Sequence, residues 1–201
     1  MTDWTLATVE PAQIPHAAES LAQAFVDDAH TAGMLPPGRT LERLRVLLRA
    51  QLLETLAAGP HAVAATEDAT GDVLGVALWQ APSTGPTRWS MAKNLPAYLR
   101  MLGRRFPDAV RTSATEARHR PRVAHWYLGY LGTRPTARGR GVGTALIRYG
   151  LDRAERADVG AYLESSSRAN VDFYRTLGFV EMGRIPAAGT EPTYAMWYPV
   201  R

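Results

Sequence analysis

The 201-residue chain has a hydrophobic fraction of 46% and a charged fraction of 21%, which fits one folded domain over residues 1–201 and argues against extended disorder. It contains no cysteine, so disulfides and thiolate chemistry are excluded. The net charge is +4 and Lys93 is the only lysine, so arginine carries nearly all the positive charge. The arginines are scattered among acidic residues, so we expect no nucleic-acid partner, although a small anionic ligand would be attracted.

The sequence predicts a cytoplasmic protein. Its first 20 residues lack the basic stretch and apolar core of a secretory signal. No run of about 18 apolar residues is present that could form a membrane span. We therefore expect no membrane partner, and a chain that acts as a monomer or a homodimer.

Patterning in the first half predicts a strand, two helices and a hairpin. The helices follow from apolar residues spaced three and four apart, and the strands from alternation. The longer helix is expected to have Thr40 as its N-cap and to stop at Gly59, and the hairpin to turn at Thr70–Gly71. The expected segments are a strand at 4–10, a helix at 16–28, a loop at 33–39, a helix at 40–59, and strands at 61–68 and 72–81.

In the second half, two helices are expected between residues 89 and 118, interrupted near Gly103 and Pro107. Gly129 and Gly132, inside a predicted strand, indicate a bulge or a close backbone approach. A strand, a helix and a strand in succession predict a parallel pair within an otherwise antiparallel arrangement, which is a mixed α/β (α+β) sheet. The further expected segments are strands at 122–134, 160–166, 179–185 and 192–200, a helix at 144–156, and a helix from Ala169 that stops at Gly178.

The segment TRPTARGRGVGTALIRYG, Thr133–Gly150, places several glycines directly before a helix. Gly139, Gly141 and Gly143 let successive N–H groups point into one concavity, and the helix dipole adds partial positive charge, so a phosphate or pyrophosphate is the expected ligand. A P-loop is excluded because the segment has no lysine. The dinucleotide fingerprint fails because Thr144 stands where its third glycine would fall. A glycine-rich turn without a ligand remains the alternative.

Two motifs in the second half resemble the signatures of the GNAT acetyltransferases. RGRGVG at 138–143 fits the family pattern Gln/Arg-x-x-Gly-x-Gly/Ala, which holds the pyrophosphate of acetyl-CoA, and NVDFYRTLGF at 170–179 is similar to the second signature. WYLGYLGTRP also looks like the family's fourth strand. The closest likeness is to puromycin N-acetyltransferase-like members, through AYLESSSRANVDFYRTLGF and VALWQAP. The resemblance spans the chain, but it is weakest between Pro82 and Arg118, and Thr133 replaces a usual branched apolar residue.

The resemblance implies a GNAT-type twisted, mostly antiparallel sheet flanked by helices, whose central parallel strands splay apart to admit the pantetheine arm of acetyl-CoA. It implies direct transfer of acetyl from this co-substrate to a primary amine of a small molecule in a ternary complex, without a metal. The cofactor-binding residues that it implies are Leu131, Gly132, Thr133, Arg138, Gly139, Arg140, Gly141, Val142, Gly143, Thr144, Asn170 and Tyr174.

The resemblance also assigns catalytic roles. Tyr174 is expected to be the general acid that protonates the departing thiolate; otherwise it is a packing aromatic. Glu164 is expected to be the general base, directly or through water; otherwise it orients substrate or pairs with an arginine. His125 and His30 are further candidates for the base. Asn170 is expected to bind the cofactor arm or to cap its helix.

The acceptor pocket is expected to form from the first helix, the loop after it and aromatic strand residues, namely Phe25, Asp27, His30, Trp79 and Trp126. Asp27 and Asp28 would attract a cationic amine, or would end a helix in solvent. The two tryptophans would stack on a flat acceptor or fill core. An acetyltransferase for a protein lysine or N-terminus, and a catalytically silent acyl-CoA-binding sensor, are the alternative functions.

Overall fold

The protein is described here by a computed structural model covering residues 2–82, 95–96 and 98–200. The strands are β1 (Trp4–Thr8), β2 (Ala62–Glu67), β3 (Val73–Gln80), β4 (His125–Thr133), β5 (Gly160–Ser165), β6 (Val180–Ile185) and β7 (Thr193–Tyr198). The helices are α1 (Ile14–Phe25), α2 (Ala29–Met34), α3 (Thr40–Ala58), α4 (Phe106–His119), α5 (Val142–Arg156) and α6 (Arg168–Thr176). Within these ranges no helix is long and apolar enough to cross a membrane.

The strands form one sheet in the order β1-β2-β3-β4-β5-β7-β6. Only β4 and β5 run parallel; the other neighbouring pairs within the described residues are antiparallel. Side chains alternate along each strand, so Val63 enters a core shared with α5 and α6, while Ala64 enters a core shared with α1 and α3. This confirms the expected mixed α/β fold, with helices on both faces of the sheet.

Helix α3 forms as its sequence pattern predicts, with one correction at its start. Leu44, Leu48 and Leu52 recur every four residues and are buried against the sheet. Thr40 is not the N-cap but the first helical residue. The N-cap is Arg39, whose backbone is left-handed with φ of 55°. Gly59 ends the helix as expected, with φ of 147°.

Helix α2 was not expected from the sequence, which predicted a loop from residue 33. Asp28 begins it, because its Oδ1 accepts a hydrogen bond from the N–H of Thr31 at 2.8 Å. His30 lies in this short helix and is buried. A helix of six residues with one polar cap leaves too short a pattern to detect.

The region expected to hold two helices is described in part, since residues 83–94 and 97 lie outside the described residues. Residues 98–102 are helical and a short 3-10 turn, Gly103–Arg105, separates them from α4. The interruption at Gly103 is therefore confirmed. Pro107 lies in the first turn of α4, where its missing N–H costs no helical bond.

Strands β4 and β5 pair over only part of their length. Their register runs from His125 opposite Gly160 to Leu128 opposite Leu163. Beyond this point β4 continues to Thr133 beside β3 alone. A register shift against β3 leaves Gly129 without a partner, which is the expected bulge. The two parallel strands thus separate at the middle of the sheet.

Gly132 allows a close approach to the backbone of β4, which is the second role that strand glycines indicate. A Cβ at this position would lie 2.8 Å from the Cβ of Ala24 and 3.0 Å from Leu21, both in α1. The missing side chain therefore lets α1 pack directly on the separated part of β4.

The close contact of α5 with the sheet predicts a strong effect at Gly150. A Cβ there would lie 2.0 Å from the buried indole of Trp79, so Gly150→Ala must displace a large core side chain. We expect a loss of about 1–3 kcal/mol in the free energy of unfolding, measured by urea denaturation.

Gly143→Ala is the matched control in the same helix, because its added Cβ would meet ordinary contacts, the nearest at 3.5 Å. It should be neutral or slightly stabilising, since alanine has the higher helix propensity. Equal stability of Gly150→Ala and the wild type would contradict this packing.

Candidate active site

A large cavity of about 1250 Å³ opens where β4 and β5 part. Its walls come from the end of β4, the turn before α5, the start of α6, and helices α1 to α4. The sequence-predicted site residues that line it are Phe25, His30, Leu131, Gly132, Thr133, Arg138, Gly139, Gly141, Val142, Gly143, Thr144, Glu164, Asn170 and Tyr174. The structure therefore brings most of the expected residues together around one space.

The glycine loop presents the start of α5 to this cavity. Gly139 and Gly141 both have φ of 78°, a conformation that suits glycine alone, and Gly141 is the N-cap of α5. No side chain caps this end. The first helical hydrogen bond of α5 runs from the N–H of Ala145 to the carbonyl oxygen of Gly141, at 3.0 Å. The N–H groups of residues 142–144 therefore have no acceptor within the helix. Free N–H groups and the positive end of the dipole together form an anion site.

The two arginines of the loop have different surroundings. Arg138 is exposed, lines the cavity and makes no ion pair with the described residues, so its charge is available to a ligand. The Nη2 of Arg140 instead lies 2.8 Å from Asp3 and 2.9 Å from Glu67. These ion pairs fix the loop to the N-terminus and β2. The Arg140 side chain does not line the cavity, and its expected contact with the cofactor stays a prediction.

Helix α6 supplies Asn170 and Tyr174 to the cavity wall. Ser167 caps this helix, since its Oγ accepts a hydrogen bond from the N–H of Asn170 at 3.3 Å. Asn170 does not cap the helix with its own side chain, so the alternative proposed for it is wrong. One turn later Tyr174 is buried, with its ring packed against Phe173 and Phe179.

The phenol of Tyr174 is held in its protonated form. Burial raises its pKa well above the usual value, and the nearby charge of Asp28 adds to this effect. A protonated phenol at a cavity wall can donate to an anion that forms there. Its packing against the core and this donor role are compatible.

Glu164 is part of a partly buried ion pair at the end of β5. The Nε of Arg120 donates to its Oε1 at 3.1 Å, and the side chain of Glu164 is only 5% exposed. The guanidinium of Arg120 also lies 3.7 Å from the ring centre of Tyr127. Burial, followed by the charge of Glu164, raises the pKa of Tyr127. Glu164 thus pairs with an arginine, which was the alternative to its role as the general base.

A second carboxylate, Glu116, lies close by and is largely removed from solvent, with its side chain 17% exposed. His30 places its Nε2 3.7 Å from Oε1 of Glu116, and the hydroxyl of Thr193 donates to the same oxygen at 3.3 Å. The Nδ1 of His30 lies 2.6 Å from the carbonyl oxygen of Glu191. Burial raises the pKa of Glu116, and the negative charge of Glu164 raises it further. Glu116, His30 and Thr193 all line the cavity.

The part of the cavity away from the glycine loop is mostly apolar. Its apolar lining residues include Phe25, Met34, Leu35, Leu47, Leu95, Leu102, Phe106 and Val110. Polar side chains also line this part, and three of them are linked: Gln51 donates to the hydroxyl of Tyr98 at 2.6 Å, and that hydroxyl lies 3.5 Å from Glu54. This chamber suits a bulky apolar group that carries a cation.

The two tryptophans predicted at the acceptor pocket lie in the core and do not line the cavity. Trp79 is 1% exposed and packs on α5, and Trp126 is 7% exposed and meets His61 edge-on at 5.2 Å. Strand alternation directs both toward the face covered by α5. Their predicted substrate-binding role is therefore corrected to core packing.

Two further candidates lie outside the cavity. Asp27 is exposed and does not line the cavity. Its neighbour Asp28 lines the cavity instead; it caps α2 and accepts a hydrogen bond from Ser166 at 2.6 Å. His125 begins β4, at the paired end of the two parallel strands, with its Nδ1 2.7 Å from the carbonyl of Val123. His125 does not line the cavity, so the structure gives no support to its expected role as the base.

Sequence reasoning missed Glu116, Arg120 and Tyr127. Glu116 lies in α4, within the segment where the family resemblance is weakest. Glu116 and Arg120 are also four residues apart, a spacing that normally indicates an exposed helical ion pair. Only the packing of α4 against β6 and β7 shows that these charges are turned inward.

Comparisons with known proteins agree with this geometry. The acetyltransferase (GNAT) family profile matches residues 42–179, which is more than half of the chain. The chain therefore belongs to the acetyltransferase (GNAT) family.

Solved structures of similar proteins cover the whole chain. A structure described as histone acetyltransferase HPA2 and related acetyltransferase, from Corynebacterium glutamicum, is 31% identical, covers 100% of this chain and 98% of its own, and has a TM-score of 0.79. Arylalkylamine N-acetyltransferase 2 from Aedes aegypti is 16% identical, with 100% coverage of both chains and a TM-score of 0.70. An agmatine N-acetyltransferase is 13% identical, covers 98% of this chain and 100% of its own, and has a TM-score of 0.59. The last two show likeness of fold alone.

The anion site predicts the effect of a charge at the loop. Gly141→Asp brings a carboxylate to the start of α5 and strains a backbone with φ of 78°. We expect acetyl-CoA to bind about tenfold more weakly or worse, measured by calorimetry, because a repelled phosphate loses one to two kcal/mol, by order of magnitude.

Gly71→Asp is the matched control. Gly71 has φ of 75° and open space around its Cβ, as Gly141 has, but it lies in the β2–β3 turn and does not line the cavity. It should bind acetyl-CoA normally. Equal affinity of both variants would remove the loop from the site.

Proposed function

We propose that this protein transfers acetyl from acetyl-CoA to a primary amine on a small molecule with a bulky apolar body. One observation carries the proposal: a single cavity connects the uncapped start of α5 with an apolar chamber that contains carboxylates. The first part suits a pyrophosphate, and the second suits an alkyl ammonium with apolar substituents. The space between them lies where β4 and β5 separate.

The residues present fit acetyl-CoA. The N–H groups at the start of α5 and the unpaired Arg138 would hold its pyrophosphate, and the free edge of β4 at Leu131–Thr133 would hold its pantetheine arm through backbone hydrogen bonds. Asn170 would bind the same arm. When bound, the co-substrate supplies an acetyl group activated as a thioester. The chain contributes orientation, because distant contacts fix the position of the reacting group.

The chain also supports the chemical step. An N–H near Tyr130–Leu131 would polarise the carbonyl oxygen that becomes negative during attack. Tyr174 would give its phenolic proton to the departing sulfur, since burial keeps that proton in place. Both groups line the same cavity.

The acceptor end of the cavity is both acidic and apolar. Glu54, Glu116 and Glu164 supply negative charge, and the surrounding side chains are apolar. Arylalkylamine and agmatine acetyltransferases share the fold, and the sequence likeness to puromycin N-acetyltransferase-like members points the same way. An aminonucleoside- or antibiotic-like amine fits this description. A protein lysine would need an open groove, which helices α1 to α4 around the chamber disfavour.

The proposal is tested by mixing the protein with acetyl-CoA and a panel of primary amines, and measuring CoA release and the mass of the product. We expect tryptamine and similar apolar amines to be acetylated faster than a lysine-containing peptide. Tight acetyl-CoA binding without CoA release for any amine would overturn the proposal in favour of a sensor. A preference for the peptide would support protein acetylation instead.

Tyr174→Phe tests the proposed acid. The substitution keeps the ring that packs on Phe173 and Phe179 and removes only the hydroxyl. We expect kcat to fall by about 10²-fold or more while the affinity for acetyl-CoA changes little. Turnover close to that of the wild type would show that Tyr174 only packs.

A further inference from the structure

The proposed reaction requires an ammonium group to lose a proton before it attacks. An alkyl ammonium has a pKa of about 10, so some group at the site must accept this proton near neutral pH. Glu164 was the sequence-based candidate. Its carboxylate is paired with Arg120 at 3.1 Å and is 5% exposed, so the arginine already stabilises its negative charge.

We infer that Glu116 and His30 together accept the proton of the amine. The two side chains face each other across 3.7 Å, they come from α4 and α2, and both line the cavity. Neither lies in the motifs that resemble the family. This inference rests on the proposed function.

The contacts of His30 assign its two nitrogens. Its Nδ1 lies 2.6 Å from the carbonyl oxygen of Glu191, and a carbonyl can only accept, so Nδ1 carries a hydrogen. The nitrogen that gains or loses a proton is therefore Nε2, which faces Glu116. When neither Nε2 nor Glu116 carries a proton, two lone pairs and a negative charge face each other. One added proton turns this contact into an attraction, whichever of the two atoms holds it.

The surroundings of Glu116 favour proton uptake. The charged and titratable groups that face it are His30 of α2, Arg120 after α4, Glu164 and Tyr162 of β5, and Tyr127 and Tyr130 of β4. Burial raises the pKa of Glu116, and Glu164 adds to this, while His30 and Arg120 oppose it. The net direction is upward, so this carboxylate is a stronger base than an exposed one.

The proton transfer is balanced within the pair. An N–H bond of the ammonium breaks, its electron pair stays on nitrogen, and an O–H bond forms on Glu116. The proton is then shared with Nε2 of His30. The amine becomes neutral and nucleophilic, and the pair loses its net negative charge. Solvent removes the proton after the product leaves.

Two probe amines with the same indole separate this role from a structural one. The alkyl ammonium of tryptamine has a pKa of about 10, whereas the α-amino group of tryptophan amide has one of about 8, so more of the second amine is already neutral in solution. We expect Glu116→Gln to lower kcat/KM by about 10²-fold with tryptamine near pH 7, but by less than tenfold with tryptophan amide. With tryptamine the deficit should shrink as the pH rises toward about 9.5, because solution then supplies the neutral amine.

Glu54→Gln is the matched control, since it removes a carboxylate from the same cavity without changing the pair. It should raise KM for both amines by a similar factor and leave the pH profile unaltered. Acetyl-CoA affinity, measured by calorimetry, shows that each variant is folded. Equal deficits of Glu116→Gln for both probes at every pH would overturn the inference. The inference would also be overturned if Glu164→Gln, and not Glu116→Gln, showed the pH-dependent loss of activity.

A measurement that needs no turnover completes the test. In carbon NMR of the wild type, the side-chain carboxyl signal of Glu116 is assigned by its loss in Glu116→Gln. The pKa of this carboxyl should lie above the usual range of a glutamate, because it is largely removed from solvent and faces the negative charge of Glu164. A Glu116 carboxyl whose pKa lies in the usual range would overturn the inference. Failure of the wild type to acetylate any amine would overturn the proposed function. The NMR measurement would then still test whether Glu116 and His30 form a proton-accepting pair.

Discussion

The separation of β4 from β5 after Leu128 and Leu163 is the constraint on which the site depends. A parallel pair that continued to Thr133 would close the sheet and fill the space with backbone hydrogen bonds. The bulge at Gly129 and the close packing of α1 on Gly132 hold the end of β4 in place without β5. The sheet therefore gives up several hydrogen bonds, and the backbone groups left free line a cavity.

The charges around that cavity are divided by position. Free N–H groups and Arg138 make the glycine-loop end positive, whereas Glu54, Glu116 and Glu164 lie toward the other end. Arg120 offsets part of this negative charge by pairing with Glu164, while Glu116 lies beside His30. In the proposed reaction, the pyrophosphate of CoA and the ammonium group of the acceptor would be attracted to opposite ends of the cavity, which would orient both toward the space between the strands.

The sequence predicted the sheet and the glycine loop well, because their signals are local. Alternation marks the strands, and the glycines at 139 and 141 adopt the φ that only glycine takes easily. The acceptor side was predicted poorly. Trp79 carries the same alternating signal whether its face meets substrate or α5, and Glu116 is indistinguishable in sequence from an exposed helical acid. Such assignments depend on which helix covers which face, and this information is not local.

In the proposed complex, CoA lies along the free edge of β4 and ends at the start of α5. Hydrogen–deuterium exchange of the wild type with and without CoA tests this placement. We expect slower exchange in peptides covering residues 129–133 and 139–145, with little change in β1 and β6. Saturating CoA that protects other segments and leaves these two unchanged would contradict it.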